Sequence, residues 1–275
     1  MILTLSVGQF VAKINLSNLS TFLENLGIVR GEEMTLRRHS LLSKNVARAL
    51  RQRLRRDFQG GGRLPSELEI AQEYGVSRGT IRDALAILER EGTIFRRQGS
   101  GTYANQYALR IQARIETAYE FTELIRQSGY RAEIRPLAVE HSPLPADIAA
   151  RLERPPNADA LFVRKLFLAD GNPAIFCIDV LPADLVREPY QPEELHAPIF
   201  DFMRQRCYQM VTQVLADIIP RVIDDELAWI LGCPAGQALL QFDEVSFNTL
   251  NKPVLFSRVY YRDEYVRFSV LREKM

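Results

Sequence analysis

The chain has 275 residues, of which 47% are hydrophobic and 25% charged, so it has the composition of an ordinary soluble protein and the length for two domains. No apolar run approaches the roughly 18 residues that a membrane-spanning helix needs, so we expect no membrane partner and a cytoplasmic location. The three cysteines are widely spaced, without a C-x-x-C pair, which argues against a disulfide framework or a zinc site: Cys177, Cys207 and Cys233.

The net charge of +1 hides an uneven distribution. Between Arg37 and Ala104 there are 14 Lys and Arg against 7 Asp and Glu, so this stretch carries +7 and the remainder −6. Such asymmetry is expected when one domain meets phosphate groups and the other does not. The alternative is an incidental cluster of solvated arginines.

The first 33 residues lack the cationic start and the small-residue cleavage site of a signal peptide. We treat residues 1–36 as an N-terminal extension and expect translation to begin at Met34, just before the first well-patterned helix. An ordered appendage is the alternative, and mass spectrometry of the native N-terminus distinguishes the two.

A DNA-binding domain is predicted for residues 37–105. A helix is expected from Ser40 to Asp57, where apolar residues recur every four positions along one face. Ser66 and Glu69 then form a capping-box pair that begins a short second helix. That helix is expected to end near Gly75, because glycine suits the left-handed position after a helix.

A third helix is predicted from Ser77, which caps it, to Glu91. Two helices joined by a four-residue turn that contains glycine form a helix–turn–helix. An α-helix fits the major groove, and the residues at its amino end reach base edges there. Two β-prone runs from Ile94 to Tyr103 flank a glycine-containing turn and predict a hairpin, which at this position is a wing. Its glycines let backbone approach the sugar-phosphate rail.

Four linked motifs within about 60 residues resemble the GntR family of bacterial regulators: Leu64–Glu67, Tyr74–Leu85, Leu88–Gly92 and Arg97–Thr102. By position, the resemblance implies DNA contacts from Ser77, Arg78, Gly79, Thr80, Arg82, Gly99 and Gly101. We add Arg96 and Arg97 as wing candidates that contact phosphate. The alternatives are that the arginines are merely solvated and that Ser77 is first a helix cap.

The chain departs from the family pattern at two positions. Leu68 stands where the family usually has arginine, and Gly79 stands where it usually has threonine. Both changes remove a potential DNA contact, so we expect the operator preference to differ from the family consensus.

Beyond Asn105 a linker over residues 106–114 leads into a domain over residues 115–275. A helix is predicted from about Ala113 to Ser128. The strand candidates are Ile134–Glu140, Ala160–Leu168, Ala174–Leu181, Gln209–Ile219, Ala238–Phe247, Val254–Tyr261 and Phe268–Leu271. Further short helices are expected at Ala146–Leu152, Ile199–Arg206 and Asp224–Leu231. Strong turns at Asp170–Pro173 and Asn248–Pro253 join neighbouring strands, so the pattern indicates an α+β domain with an antiparallel sheet.

This second part resembles the UTRA effector domain of the HutC branch of GntR regulators, whose fold is like that of chorismate lyase. The residues that carry the resemblance are Leu168–Pro173, Leu181-Pro182, Asp224–Glu226, Leu231-Gly232, Ser257-Arg258, Tyr261-Arg262 and Arg267-Phe268. The resemblance implies a pocket on one face of the sheet for a small, often anionic metabolite.

Six residues are the candidate effector contacts: Arg164, Lys165, Asp179, Glu244, Arg258 and Tyr261. The two acidic residues predict an effector with an amine or several hydroxyls, beside an anionic group held by Arg164 or Lys165. Surface ion pairs are the alternative for each charged residue, and structural roles are the alternative for Arg258 and Tyr261.

The sequence therefore predicts a transcriptional regulator, with repression expected and activation as the alternative. A homodimer joined through the effector domains would bind a pseudo-palindromic double-stranded operator. No cofactor or metal is expected. An enzyme is the main alternative, given the lyase-like fold, but no catalytic motif is present and the histidines are scattered singly. A sensor that does not bind DNA specifically is a further alternative, opposed by the intact wing and recognition helix.

Overall fold

A computed structural model of the chain describes residues 2–7, 10–15 and 31–272, with side chains from residue 42 onward. The chain forms two compact units, Met1–Arg110 and Ile111–Met275. In the first unit the elements are β1 (Ile2–Val7), β2 (Phe10–Asn15), α1 (Gly31–Asp57), β3 (Gly62–Arg63), α2 (Glu67–Tyr74), α3 (Arg78–Arg90), β4 (Ile94–Arg97), β5 (Gly101–Ala104) and α4 (Gln106–Leu109). The domain boundaries at 36, 105 and 114 stay predictions.

Strands β1 and β2 pair antiparallel within the predicted N-terminal extension. Residues 1, 8–9 and 16–30 of that extension lie outside the described residues, and a translation start at Met34 stays a prediction. Helix α1 begins at Gly31, earlier than the predicted start at Ser40. The sequence from Glu32 to Asp57 has neither glycine nor proline, so nothing in it interrupts a helix.

Helices α1, α2 and α3 share one apolar core. Leu50 and Leu54 of α1 pack with Ile70 of α2, and all three side chains are at most 2% exposed. Leu85 and Leu88 of α3 complete the centre of this core. Leu50 and Leu54 lie four positions apart on the apolar face that the sequence pattern predicts for this first helix.

Both predicted ends of helix α2 have the expected geometry. Ser66 Oγ accepts from the Glu69 amide at 3.3 Å, and the Glu69 carboxylate accepts from the Ser66 amide at 2.7 Å. Gly75 adopts φ +64°, the left-handed conformation that ends α2. Local hydrogen bonds therefore cap both ends of the first helix of the helix–turn–helix.

The second unit contains a six-stranded antiparallel sheet in the order β10-β11-β12-β9-β8-β7. Its elements are β6 (Ala113–Arg114), α5 (Phe121–Gln127), β7 (Ala132–Pro143), α6 (Ala146–Arg151), β8 (Asp159–Ala169), β9 (Asn172–Pro182), two 3-10 turns (Ala183–Leu185 and Pro192–His196), α7 (Ile199–Arg206), β10 (Val211–Val222), α8 (Asp225–Leu231), β11 (Ala238–Asn248), β12 (Pro253–Tyr261) and β13 (Phe268–Ser269). The predicted α+β fold class is confirmed.

The helices cover both faces of this sheet. On one face, Leu124 and Ile125 of α5 pack on the sheet at one end, while Phe202 and Met203 of α7 pack at the other. Helices α6 and α8 cover the opposite face. Because side chains alternate along a strand, adjacent residues of β8 belong to different cores.

The predicted helix from Ala113 to Ser128 is wrong over its first half. Ala113 and Arg114 instead form β6, which pairs parallel with Phe268 and Ser269. The backbone N–H of Arg114 donates to the Tyr119 hydroxyl at 3.1 Å, outside any helical pattern. Only Phe121–Gln127 is helical, because strand pairing with the distant C-terminal segment takes the backbone groups of the first residues.

Candidate DNA interface and effector cavity

The amino end of α3 presents a small exposed surface. Ser77 caps the helix, and its Oγ accepts from the Thr80 amide at 3.1 Å. Arg78, Gly79 and Arg82 are exposed around this cap, while Ile81 behind them is fully buried. Free amides and cationic side chains at a helix amino end are suited to phosphate and base edges.

Thr80 does not lie on this surface. Its residue is 2% exposed, and its Oγ1 lies 2.9 Å from Ser77 Oγ. Thr80 is the third residue of α3, and its side chain points toward the core and contacts the hydroxyl of the capping residue Ser77. Its predicted role as a DNA contact is therefore not supported by the geometry, and a structural role explains it.

Arg82 and Arg96 lie near acidic side chains of the same unit. Arg82 is 3.6 Å from Glu67, and Arg96 lies 3.3 Å from Glu89 and 3.9 Å from Glu67. Exposed pairs of this kind contribute little to stability, so phosphate can compete for either arginine. Arg96 lies near two carboxylates and Arg82 near one, so Arg96 is less available than Arg82 for a contact with phosphate.

The wing is a three-stranded sheet in the order β3-β5-β4. Phe95 and Tyr103 stack across the hairpin, and the Arg97 guanidinium lies 5.3 and 4.9 Å from their ring centroids. This contact holds an exposed cation on the hairpin without neutralising it. Gly99 has φ +71° at the turn, a conformation that glycine adopts without strain.

Arg63 is a candidate that the sequence prediction missed. It is exposed on β3, and its backbone pairs with Tyr103 of the hairpin. A Cβ on Gly101 would come within 2.8 Å of the Arg63 Nε, so this glycine makes room for the guanidinium. This two-residue strand begins at the last of three consecutive glycines and has no periodic signal, so the sequence pattern could not place it in the wing.

The second unit contains a cavity of about 230 Å³ on the sheet face between α5 and α7. Aromatic side chains form much of its wall, namely Phe121, Phe167, Phe200, Phe242, Tyr261 and Phe268. Its polar lining includes Glu116, Glu120, Lys165, Asp179, Glu244 and Ser257. Of the six predicted effector contacts, the cavity brings together Lys165, Asp179, Glu244 and Tyr261.

A buried ion pair lies at the base of the cavity. Lys165 Nζ is 3.3 Å from Asp179 Oδ2 and donates to the Ala197 carbonyl at 3.1 Å. Asp179 Oδ1 accepts from the Ser257 hydroxyl at 2.7 Å and from the Cys177 thiol at 3.3 Å. Lys165 and Asp179 are each 1% exposed, so the pair is shielded from solvent. Burial raises the pKa of Cys177 well above its ordinary value.

Two further carboxylates, Glu120 and Glu244, line the cavity, and neither forms an ion pair with any residue whose side chain the structure describes. Burial, and secondarily the charge of Asp179, raises the pKa of Glu244 to about 7. Burial also raises the pKa of Glu120, whose Oε1 is a buried atom without a hydrogen-bond partner. The sequence prediction missed Glu120, because it precedes a helix whose start was placed elsewhere.

Arg164 and Arg258 lie on the other face of the sheet. Arg164 is 3.5 Å from Glu140, and both side chains are about half exposed. Arg258 makes two hydrogen bonds to Asp243, at 2.8 and 2.7 Å. The register pairs Arg164 and Arg258 with Ile178, the neighbour of Asp179 on β9, so alternation turns both arginines away from the cavity. The geometry does not support effector contacts from either residue.

The raised pKa of Glu244 predicts a pH-dependent cost to folding. Its folded pKa of about 7 exceeds the usual 4.5, so the folded state binds more protons between these values and stability falls as pH rises through them. We expect Glu244→Gln to be more stable than wild type at pH 8, by up to about 3 kcal/mol, with a smaller difference at pH 5. Urea unfolding at both pH values measures this.

The matched control is Glu140→Gln, which removes a half-exposed carboxylate on the opposite face. Its stability difference from wild type should change little over the same pH range. An identical pH response for wild type and Glu244→Gln would contradict the assignment of this carboxylate.

A winged helix–turn–helix and an α+β unit with a ligand-sized cavity, in one chain, define a ligand-responsive DNA-binding regulator. Residues 42–104 match the bacterial regulatory proteins of the gntR family, and residues 127–267 match the UTRA domain. The chain belongs to the GntR family of transcriptional regulators and carries a UTRA effector domain. The resemblance predicted from the motifs is thus confirmed.

Relatives from several bacteria align with most of this chain. The probable fructoselysine utilization operon transcriptional repressor of Escherichia coli is 25% identical, over 84% of this chain and 95% of that protein. The regulator Rv0792c of Mycobacterium tuberculosis is 27% identical, over 82% and 81%. The structure of the possible regulator YydK from Bacillus subtilis superposes with a TM-score of 0.68 at 18% identity, over 84% of this chain and 99% of that one.

The described part of the chain contains neither a membrane-spanning helix nor a cluster of metal-ligating side chains. No helix there combines the length and the apolar character needed to cross a membrane. The same residues contain no group of three or more His, Cys, Asp and Glu side chains that could hold a metal ion.

Proposed function

We propose that this regulator is a repressor, that it binds a pseudo-palindromic operator as a homodimer in the cytoplasm, and that a small molecule in the cavity changes its affinity for the operator. The observation that carries the proposal is the exposed amino end of α3, where Arg78 and Arg82 flank a capped helix start beside the wing. Two similar proteins are described as repressors, which supports the sign of regulation.

The second unit offers a surface that suits self-association. Strand β10 is an edge of the sheet, and three of its apolar side chains are between 46% and 66% exposed: Leu215, Ile218 and Val222. Unpaired apolar edge strands favour pairing with another chain. A second copy of the chain, related by a two-fold axis, is the partner that we propose.

The cavity wall suggests how a ligand would act on the linker. Residues 115–121 line the cavity, and they directly follow β6, whose pairing partner Phe268 lines it as well. A ligand that contacts this segment would favour one of its arrangements over another. Allostery then follows from the difference in ligand affinity between the two arrangements, typically worth about 1–3 kcal/mol.

Selection of bound duplexes from a random DNA library tests the proposal. We expect an inverted repeat whose half-sites lie about one helical turn apart, since two recognition helices related by a two-fold axis reach successive major grooves. An enriched site without a repeat would overturn the dimer. Mass measurement of the free protein in solution gives an independent test of the same point.

A further inference from the structure

The cavity holds more carboxylates than cations. Lys165 is the single Lys or Arg among its lining residues, and Asp179 and the Ala197 carbonyl already engage its Nζ. Glu116 is held by Arg114 at 2.6 Å. Glu120 and Glu244 also line the cavity, and among the residues with described side chains neither has an ion-pair partner. A bound molecule therefore meets excess negative charge.

Two buried carboxylate oxygens in this lining accept no hydrogen bond. One is Asp179 Oδ2, on a side chain that is 2% exposed; its contact with Lys165 has the distance of an ion pair but not the geometry of a hydrogen bond. The other is Glu120 Oε1. Buried acceptors are nearly always satisfied in folded proteins, so a ligand with N–H donors would complete this network.

The remainder of the lining is apolar and sets a size limit. Phe167, Phe242 and Phe268 lie on the wall with Tyr261, where ring faces also favour a cationic group. A cavity of 150 Å³ in another protein accepts benzene, so by scaling the volume of about 230 Å³ accepts roughly nine or ten non-hydrogen atoms.

We propose that the cavity binds a small organic amine in its protonated form, with the ammonium group donating to Glu244 and the apolar body packed on the aromatic wall. Among the described residues that line the cavity, no unpaired cation is available for the anionic group expected from the sequence, because Arg164 faces the other side of the sheet and Lys165 is paired. This inference rests on the proposed function in one respect, because it names the chemical class of the effector that we propose for this cavity.

Calorimetric titration of the full chain with three matched compounds tests the ligand class. Phenethylamine, 2-phenylethanol and phenylacetate share a phenyl body, contain nine or ten non-hydrogen atoms and differ in charge. We expect phenethylamine to bind at least about tenfold more tightly than the neutral alcohol, because a hydrogen bond to a charged group is stronger than one between neutral groups. Equal affinity for the first two, tighter binding of the anion, or no binding of the amine would each overturn the proposal.

Two variants locate the charge that selects the amine. Glu244→Gln keeps the shape of the side chain and should weaken phenethylamine binding by about tenfold or more, while 2-phenylethanol binding stays nearly unchanged. The control Glu140→Gln should bind both compounds as wild type does. Loss of amine affinity in both variants, or in neither, would contradict a contact with Glu244.

The pH dependence gives a readout that a purely structural role would not produce. Glu244 has a pKa of about 7 in the free protein, whereas an alkylamine stays protonated well above pH 8. Raising the pH from 6 to 8 should therefore tighten phenethylamine binding by up to about tenfold and leave 2-phenylethanol unaffected. The other titratable groups around the cavity are Glu116, Tyr119 and Glu120 before and at the start of α5, Lys165 on β8, Cys177 and Asp179 on β9, and Tyr261 on β12. A pH-independent affinity would count against the proposal.

These titrations contain no DNA, so they fail or succeed separately from operator recognition. An amine that binds but leaves operator affinity unchanged would support the ligand class and contradict its role as effector. Operator binding without any amine affinity would leave the regulator assignment intact and overturn the ligand class.

Discussion

Lys165→Met should lower the free energy of unfolding by about 3–5 kcal/mol, because it leaves Asp179 as an uncompensated charge in the protein interior. Methionine keeps the length of the side chain, so the main change is the loss of the ammonium group. Asp179 retains its hydrogen bond from Ser257, but one bond from a neutral hydroxyl does not replace a cation. Urea unfolding of the full chain measures the difference.

The same substitution at an exposed pair is the matched control. Lys252 Nζ lies 3.4 Å from Glu153, with both side chains more than 60% exposed, so Lys252→Met should change stability by less than about 1 kcal/mol. The double variant Lys165→Met, Asp179→Asn should lose less than the sum of its single variants, since the amide oxygen still accepts from Ser257. Equal losses at Lys165 and Lys252 would contradict the account of the buried pair.

If Arg78 reaches a base edge, as we propose, Arg78→Ala should weaken binding to the selected operator by about 1–3 kcal/mol, which is roughly 5- to 150-fold. Arg78 is exposed, and no ion pair or hydrogen bond links it to another residue in the part of the chain with described side chains. Its replacement should therefore change folding stability by no more than about 0.5 kcal/mol. Fluorescence anisotropy with the operator and a scrambled duplex separates base reading from phosphate contact.

Arg90→Ala is the control for the loss of one positive charge from the same helix. Arg90 lies at the carboxyl end of α3 and donates to the Ala86 carbonyl at 3.3 Å. It should weaken both duplexes slightly and equally, whereas Arg78→Ala should reduce the preference for the operator. A uniform loss from Arg78→Ala would assign that arginine to phosphate, and no loss would remove it from the interface.

Local patterns in the sequence predicted the elements well. The capping box at Ser66, the glycine after α2 and the cap at Ser77 each fix the backbone over a few residues, and the structure has all three. The antiparallel pairing of strands in the second unit was predicted from strong turns such as Asp170–Pro173. Such signals depend on neighbours in the chain, so they can be recognised without the tertiary structure.

The sequence predictions fail where segments that are far apart in the chain pack together. The residues after Ala113 have an apolar pattern compatible with a helix, but pairing with Phe268 makes the first of them a strand. Arg164 and Lys165 are adjacent on one strand, so at most one of them can face the cavity. The sequence gives no register for β8 against β9, and that register decides in favour of Lys165. Glu120 was missed for the same reason, because long-range packing and not a local pattern places it in the cavity wall.

The most direct test of the central assignment compares the selected operator with random duplex by anisotropy titration at physiological salt. A specific regulator of this type should prefer its operator by at least about 10³-fold, and the preference should persist in excess random competitor. Equal affinity for both duplexes, in the presence or absence of an amine, would show that the exposed end of α3 does not read a DNA sequence.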